Sequence, residues 1–237
     1  MTSTIEPSAR LADIINEHPD LARELERRSL DYCCGGQRSL ADACATAGLD
    51  PDQTASELSS IGTAPPEPWT TYRADQLADH LESTHHAYLH DELPRLTALA
   101  DKVADVHGAR HPELLNVQRS FAELRADLEP HLAKEEQILF PMIRELVASA
   151  EAPASHCGSI ENPIAVMRTE HDRAGELLEQ LRAITGSYAV PDDGCASYAA
   201  LYAGLEHLES DTHLHVHKEN NLLFPAAVEL ETSHQPA

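Results

Sequence analysis

The chain has 237 residues, in which 40 Asp and Glu face 17 Lys and Arg, for a formal charge of −23. Gripping a nucleic-acid backbone needs clustered cations, so that class is excluded, and the carboxylates form a solvated surface with some to spare for a metal. Aromatic residues are 4% of the total while Leu and Ala abound, which favours helices over sheets.

Residues 1–60 read as a small helical domain, with apolar periodicity over Leu11–Leu25 and Leu40–Ala47. The opening Met1–Ile15 lacks a basic stretch followed by an apolar core, so no secretory signal is expected. Between the two patterns lies the turn Asp31-Tyr32-Cys33-Cys34-Gly35-Gly36. One reading makes Cys33 and Cys34 an accessible pair that exchanges with disulfides or holds soft metal. The other makes them small fillers of a turn in which Gly35 and Gly36 supply positive φ. Cys44, Cys157 and Cys195 are scattered. Five cysteines in this arrangement are no disulfide framework, and the expected location is a reducing cytoplasm.

Residues 61–70 are a Pro-rich linker, and 71–237 hold four long helical stretches near 73–105, 112–149, 161–186 and 195–231. The separators Gly108–Pro112, Ala152–Gly158 and Gly186–Gly194 are short, which predicts antiparallel neighbours in an up-down-up-down four-helix bundle. No apolar run approaches the roughly 20 residues that span a bilayer, so no membrane partner is expected.

The bundle sequence repeats itself. His131-Leu-Ala-Lys-Glu135 leads to Phe140-Pro141, and 84 residues later His215-Val-His-Lys-Glu219 leads to Phe224-Pro225. Upstream, Thr84-His85-His86 matches Thr169-Glu170-His171. A helical hairpin used twice implies a pseudo-twofold axis. Residues four apart differ by about 40° around a helix, so His131 with Glu135, and His215 with Glu219, each face one point. Leu124, Leu128, Ile138, Leu139 and Met142 share the first face; Leu208, Leu222 and Leu223 share the second. His171 lies on a stripe with Ile164, Met167, Ala174 and Leu178. His85 fits Leu77, Leu81 and Leu89, whereas His86 fits Leu89, Leu93 and Leu96; the repeat equates His86 with His171 and selects it, with His90 a weaker candidate. His213 and His217, two residues either side of His215, point about 200° away and are expected at the surface.

Isolated charge on an apolar stripe is costly, and metal coordination resolves the cost. Four imidazoles and two carboxylates suit two borderline-hard transition ions, with the carboxylates able to bridge them. Iron is preferred to zinc because no thiolate joins the set. The H-E-x-x-H helix and the G-x-x-x-x-G-K-[ST] phosphate loop are absent, and Glu82-x-x-His85 has no partner of the ferritin type. A hydrolase or ordinary dehydrogenase is therefore not expected.

The stretches Leu30-Asp-Tyr-Cys-Cys-Gly-Gly36, His131–Met142, Glu170-His-Asp-Arg-Ala-Gly-Glu176 and Glu219-Asn-Asn-Leu-Leu-Phe-Pro225 resemble the repair of iron centres (RIC) family, YtfE/ScdA-like proteins. The resemblance spans nearly the whole chain. It implies an all-α fold: a ScdA-type N-terminal domain followed by a haemerythrin-like bundle. Its ligand pattern falls on His86, His131, Glu135, His171, His215 and Glu219 around two non-haem iron ions, with Glu135 and Glu219 bridging. Oxygen-carrying haemerythrins have a further His four residues after the third-helix ligand, where this chain has Gly175. Reversible oxygen storage therefore gives way to repair of iron–sulfur clusters damaged by nitrosative or oxidative stress, through iron donation to the damaged proteins. The alternatives are a nitric oxide or oxygen sensor, and a nitric oxide reductase with Cys33 and Cys34 feeding electrons. A homodimer remains an open form of assembly.

Overall fold

A computed structural model describes residues 4–61, 67–149 and 158–234. Among them there is no β-strand, only an isolated bridge between Arg10 and Ser39, and no helix is long and apolar enough to cross a membrane. The fold is all-α.

The N-terminal unit holds four short helices: α1 (Leu11–Glu17), α2 (Ala22–Arg27), α3 (Leu40–Ala47) and α4 (Pro51–Ser60). Local chemistry sets their limits. Ser39 caps α3 by accepting from the Asp42 N–H, and Gly48 ends it at φ 72°, a left-handed turn that suits glycine. Asp50 caps α4 through the Gln53 N–H, with Pro51 at the start where no donor is needed. Helices this short are marginal alone. They are held by a common core of Leu11, Ile15, Leu21, Leu25, Leu40 and Leu58, to which Val216 of the bundle adds its side chain.

The first bundle helix runs as α5 (Ala74–Leu81), a π turn at Glu82–His86, and α6 (Ala87–His107). The second is α7 (Glu113–Lys134), a π turn at Glu135–Leu139, and α8 (Phe140–Ala148). The third is the unbroken α9 (Glu161–Ile184). The fourth is α10 (Ala196–Lys218), a π turn at Glu219–Leu223, and α11 (Phe224–Ser233). The Phe-Pro pairs account for two of these turns. A proline cannot donate to the preceding turn and its ring crowds the carbonyl there, so the helix widens just upstream of Pro141 and Pro225.

A π turn carries one residue more than the α pattern and rotates every side chain beyond it. Hence Ile138, expected inward, is 45% exposed, while Leu139 and Phe140 fill the core. Two apolar clusters result. One contains Leu89, Phe121, Leu128, Leu177 and Leu205; the other contains Leu81, Leu139, Ile164, Met167 and Phe224. On every bundle helix the break between them falls at the candidate ligands.

Candidate metal centre

Six side chains fill that break. His86, Glu135, His215 and Glu219 bring one ligand atom each within 4.8 Å of one another, and so do His131, Glu135, His171 and Glu219. Both carboxylates belong to both groups. Glu135 and Glu219 are fully buried, and the four histidines are at most 3% exposed. Glu135 Oε2 lies 3.4 Å from His86 Nε2 and 3.3 Å from His131 Nε2. Glu219 stands 3.1 Å from both His171 Nε2 and His215 Nε2.

The outer nitrogens fix the tautomers. His86 Nδ1–H donates to Glu136 and His131 Nδ1–H donates to Glu170, each at 2.9 Å; His171 Nδ1–H donates to the Asn220 carbonyl oxygen at 3.1 Å. A neutral imidazole that donates from Nδ1 has a bare lone pair on Nε2. The Nε2 atoms of His131 and His171 nonetheless face each other at 3.2 Å. His86 Nε2, His215 Nε2 and all four oxygens of Glu135 and Glu219 are buried with no hydrogen-bond partner. The ion-pair distances above thus lack hydrogen-bond geometry. Lone pairs and carboxylates converging on one volume repel unless a cation occupies it, and these residues fit one.

Without a cation, protons are the available remedy. Burial works to keep His171 neutral, but the Glu219 carboxylate overrides it and lifts the imidazole to about 9. His86 shifts upward in the same way, burial being outweighed by Glu135. Burial would raise Glu219, yet His215 and His171 hold it well below the usual carboxylate range.

The neighbouring histidines separate cleanly. His85 is buried but turned away: Nδ1–H donates to Asp211 at 2.9 Å, Nε2 accepts from Lys218 Nζ at 2.7 Å, and the ring stacks on His215 at 5.3 Å. His90 stands outside the cluster, donating from Nε2 to the same Glu136 oxygen that His86 uses. The surface placement of His213 and His217 needs correction. His217 is fully buried, with Nδ1–H donating to the Tyr32 carbonyl and Nε2 beside Asn16, and His213 contacts Glu26. The N-terminal unit covers that face of α10.

The Cys turn also differs from expectation. Asp31 Oδ1 accepts from the backbone N–H groups of Cys33 and Cys34 and from the Cys33 thiol, while Oδ2 accepts from Gly35. Cys33 is 7% exposed, and its thiol is pushed up by neighbouring Cys34 and by burial, so only Cys34 is partly accessible. Positive φ is not what Gly35 and Gly36 supply, for neither adopts it. A Cβ on Gly36 would lie 2.5 Å from the Tyr32 carbonyl and 2.8 Å from the Asn221 amide, which clamps the turn through the Cys33 carbonyl. Beside the turn opens a cavity of about 660 Å³, lined by Cys33, Cys34, Asp172, Gly175 and Glu176. None of the six cluster residues lines it. Of the scattered cysteines, Cys44 packs in the core, Cys195 starts α10 beside His107, and Cys157 lies outside the described residues.

Sequence reading missed Glu136, Glu170 and Asn220. A signal existed for two of them: Glu136 and Asn220 follow the paired glutamates at the same place in the repeat.

Comparison with known proteins accords with this geometry. The hemerythrin HHE cation-binding domain matches residues 77–227, and ScdA_N, a domain of unknown function (DUF542), matches residues 7–61. Iron-sulfur cluster repair protein YtfE of Escherichia coli O81 (strain ED1a) is 34% identical over 219 residues, covering 92% of this chain and 96% of the relative. The proteins of the same name from Escherichia coli O1:K1 / APEC and Escherichia fergusonii match with the same identity and coverage. The chain therefore belongs to the hemerythrin HHE cation-binding family, in the group of YtfE-like proteins that carry an N-terminal ScdA_N domain.

Proposed function

We propose that this chain binds two iron ions through His86, His131, Glu135, His171, His215 and Glu219, and donates iron to iron–sulfur clusters damaged by nitrosative or oxidative stress. The observation that carries the proposal is the sharing of Glu135 and Glu219 between two four-residue groups whose inward atoms are orphaned. A carboxylate has two oxygens, and one that faces two sets of imidazoles is suited to bridge two cations. When bound, iron supplies a Lewis-acidic and redox-active charge. The chain's residues supply the rest: Glu136, Glu170 and Asn220 hold the imidazoles in the ligating tautomer, and Phe140 and Phe224 close the centre against water.

Each position has two imidazoles and shares two carboxylates, fewer donors than an octahedral ion accepts. That supports an ion that can be given up. Cys34, at the rim of the cavity, is placed for a role in transfer, with Cys33 behind it. The recipients would be damaged iron–sulfur proteins, and the cysteine usage fits a cytoplasmic setting. The same open positions favour one second reading, nitric oxide binding at the centre.

Metal analysis and optical spectra of the wild type and His131→Ala test the centre; about two irons per chain are expected, and fewer in the variant. The iron-loaded chain is then incubated with a damaged cluster enzyme. Recovery no greater than free ferrous iron gives would reject the repair reading. A stable nitric oxide adduct without iron loss would favour the second.

A further inference from the structure

The internal repeat permits a residue-by-residue comparison of the two metal positions. It pairs His86 with His171, His131 with His215, Glu135 with Glu219, Glu136 with Asn220, and His85 with Glu170. One of the two backing contacts obeys the same symmetry, whereas His131 has Glu170 behind it and His215 has the stacked ring of His85 beside it. His86 donates from Nδ1 to Glu136, and His171 donates from Nδ1 to Asn220. At this contact the geometry is the same in both halves and the chemistry is not, because a carboxylate in one half is an amide in the other.

That difference acts on ligand strength. A carboxylate accepting the Nδ1–H makes the imidazole a stronger donor at Nε2, and a neutral amide does so much less. At the His86/His215 position the backing carboxylate is Glu136, which also accepts from His90. At the His131/His171 position the one backing carboxylate is Glu170, and it is paired with the Lys134 ammonium. This second position therefore has a partly neutralised carboxylate and a neutral amide behind its two imidazoles.

It is also the position nearer an opening. Asn220 turns its other end outward, with Nδ2 4.0 Å from the Cys34 sulfur. Cys34 lines the cavity beside α9, and so does Gly175, four residues after His171. A Cβ at Gly175 would have no heavy atom within 4 Å. The His86/His215 position is walled differently, by His85 stacked on His215 and by Lys218 behind it, under Trp69.

We propose that the two metal positions are unequal, that the His131/His171 position is the one that exchanges its ion, and that Asn220 is the positioning residue responsible. This rests on the two-iron reading above. In that arrangement one ion stays as a structural anchor while the other is the cargo, and Asn220 links the cargo's ligand to the Cys34 thiol.

The test uses the full chain loaded anaerobically with ferrous iron and mixed with a coloured ferrous chelator. Two phases of equal amplitude are expected, separated by about tenfold or more, the scale on which such backing groups alter metal affinity. Asn220→Asp should slow the fast phase by about tenfold and leave the slow one in place. Glu136→Asn, in the other half, should speed the slow phase and leave the fast one. A purely structural role would shift both phases together, as would a folding defect, so selective change of one half-amplitude is the diagnostic; each variant serves if the other folds poorly. Two irons released in a single phase, or an Asn220→Asp variant with an unchanged fast phase, would overturn the inequality while leaving the two-iron centre standing. Fewer than two irons per chain would overturn both.

Discussion

The two ends of the bundle solve opposite problems. At the far end, Phe121, Leu181, Leu201 and Leu205 pack on regular α-helix, and the Tyr198 and Tyr202 hydroxyls beside them satisfy each other. At the site end, three of four helices are broken by π turns, and two carboxylates and four imidazoles stand where the core would be. Stability comes from the first region and chemistry from the second. Buried charge without a partner is destabilising, so the site end depends on the packing beyond it.

The largest expected effect tests that dependence. Phe121→Ala should cost about 3–5 kcal/mol of unfolding free energy, by lost transfer energy and an unfilled cavity, in both metal-free and metal-loaded protein. Denaturant unfolding of both forms measures it. A loss confined to the loaded form would break the comparison. The converse change removes charge at the other end. Glu219→Leu should cost the metal-free chain about 1 kcal/mol or more at neutral pH, because it removes the carboxylate that compensates the protonated His171. It should also abolish the stabilisation that ferrous iron gives the wild type, about 2.7 kcal/mol when the free ion is at a hundred times Kd. Thermal unfolding with and without metal separates the two.

The smallest effect is a pH dependence. His171 is lifted to about 9 and His86 is shifted up in the metal-free protein, each by its facing carboxylate against the effect of burial. A raised imidazole holds its proton below that value, and a metal must expel it. Affinity should therefore rise from neutral pH towards about 9 and flatten beyond. Calorimetric titration in buffers of differing ionisation heat would count the protons released; a pH-independent affinity with no release would contradict the assignment.

The helices and the centre's outline were legible because each rests on one dominant signal. Apolar period and Gly or Pro breaks mark the four helices, and the observed ends fall within two residues of those expected. The duplicated His-x-x-x-Glu…Phe-Pro pattern marked the ligand candidates and, through the repeat, favoured His86 over His85. What stayed hidden involves contacts that no local pattern encodes. Ile138 was misplaced because a π turn advances the helical phase without any marker except the proline beyond it. The π turn at Glu82–His86 lacks even that marker. His217 was misplaced because periodicity says which face of α10 meets the bundle, and nothing about a separate unit seated on the opposite face. Gly36 answers crowding rather than positive φ, and part of that crowding comes from Asn221, far away in sequence, beside the nearer Tyr32 carbonyl.

The three π turns carry a consequence for how this centre tolerates change. Each contributes a single extra residue. Deleting one position between Glu135 and Leu139 would restore ordinary helical winding and leave Phe140, Ile143 and Leu146 facing their cluster, whereas deleting one position from the regular helix on either side of the turn would swing the two halves by about 100° against each other, with every ligand still present in the sequence. The centre is thus specified by arithmetic as well as by residue type. A gap of one residue inside a π turn is taken up by the turn itself, whereas the same gap in the regular helix beside it desynchronises everything beyond.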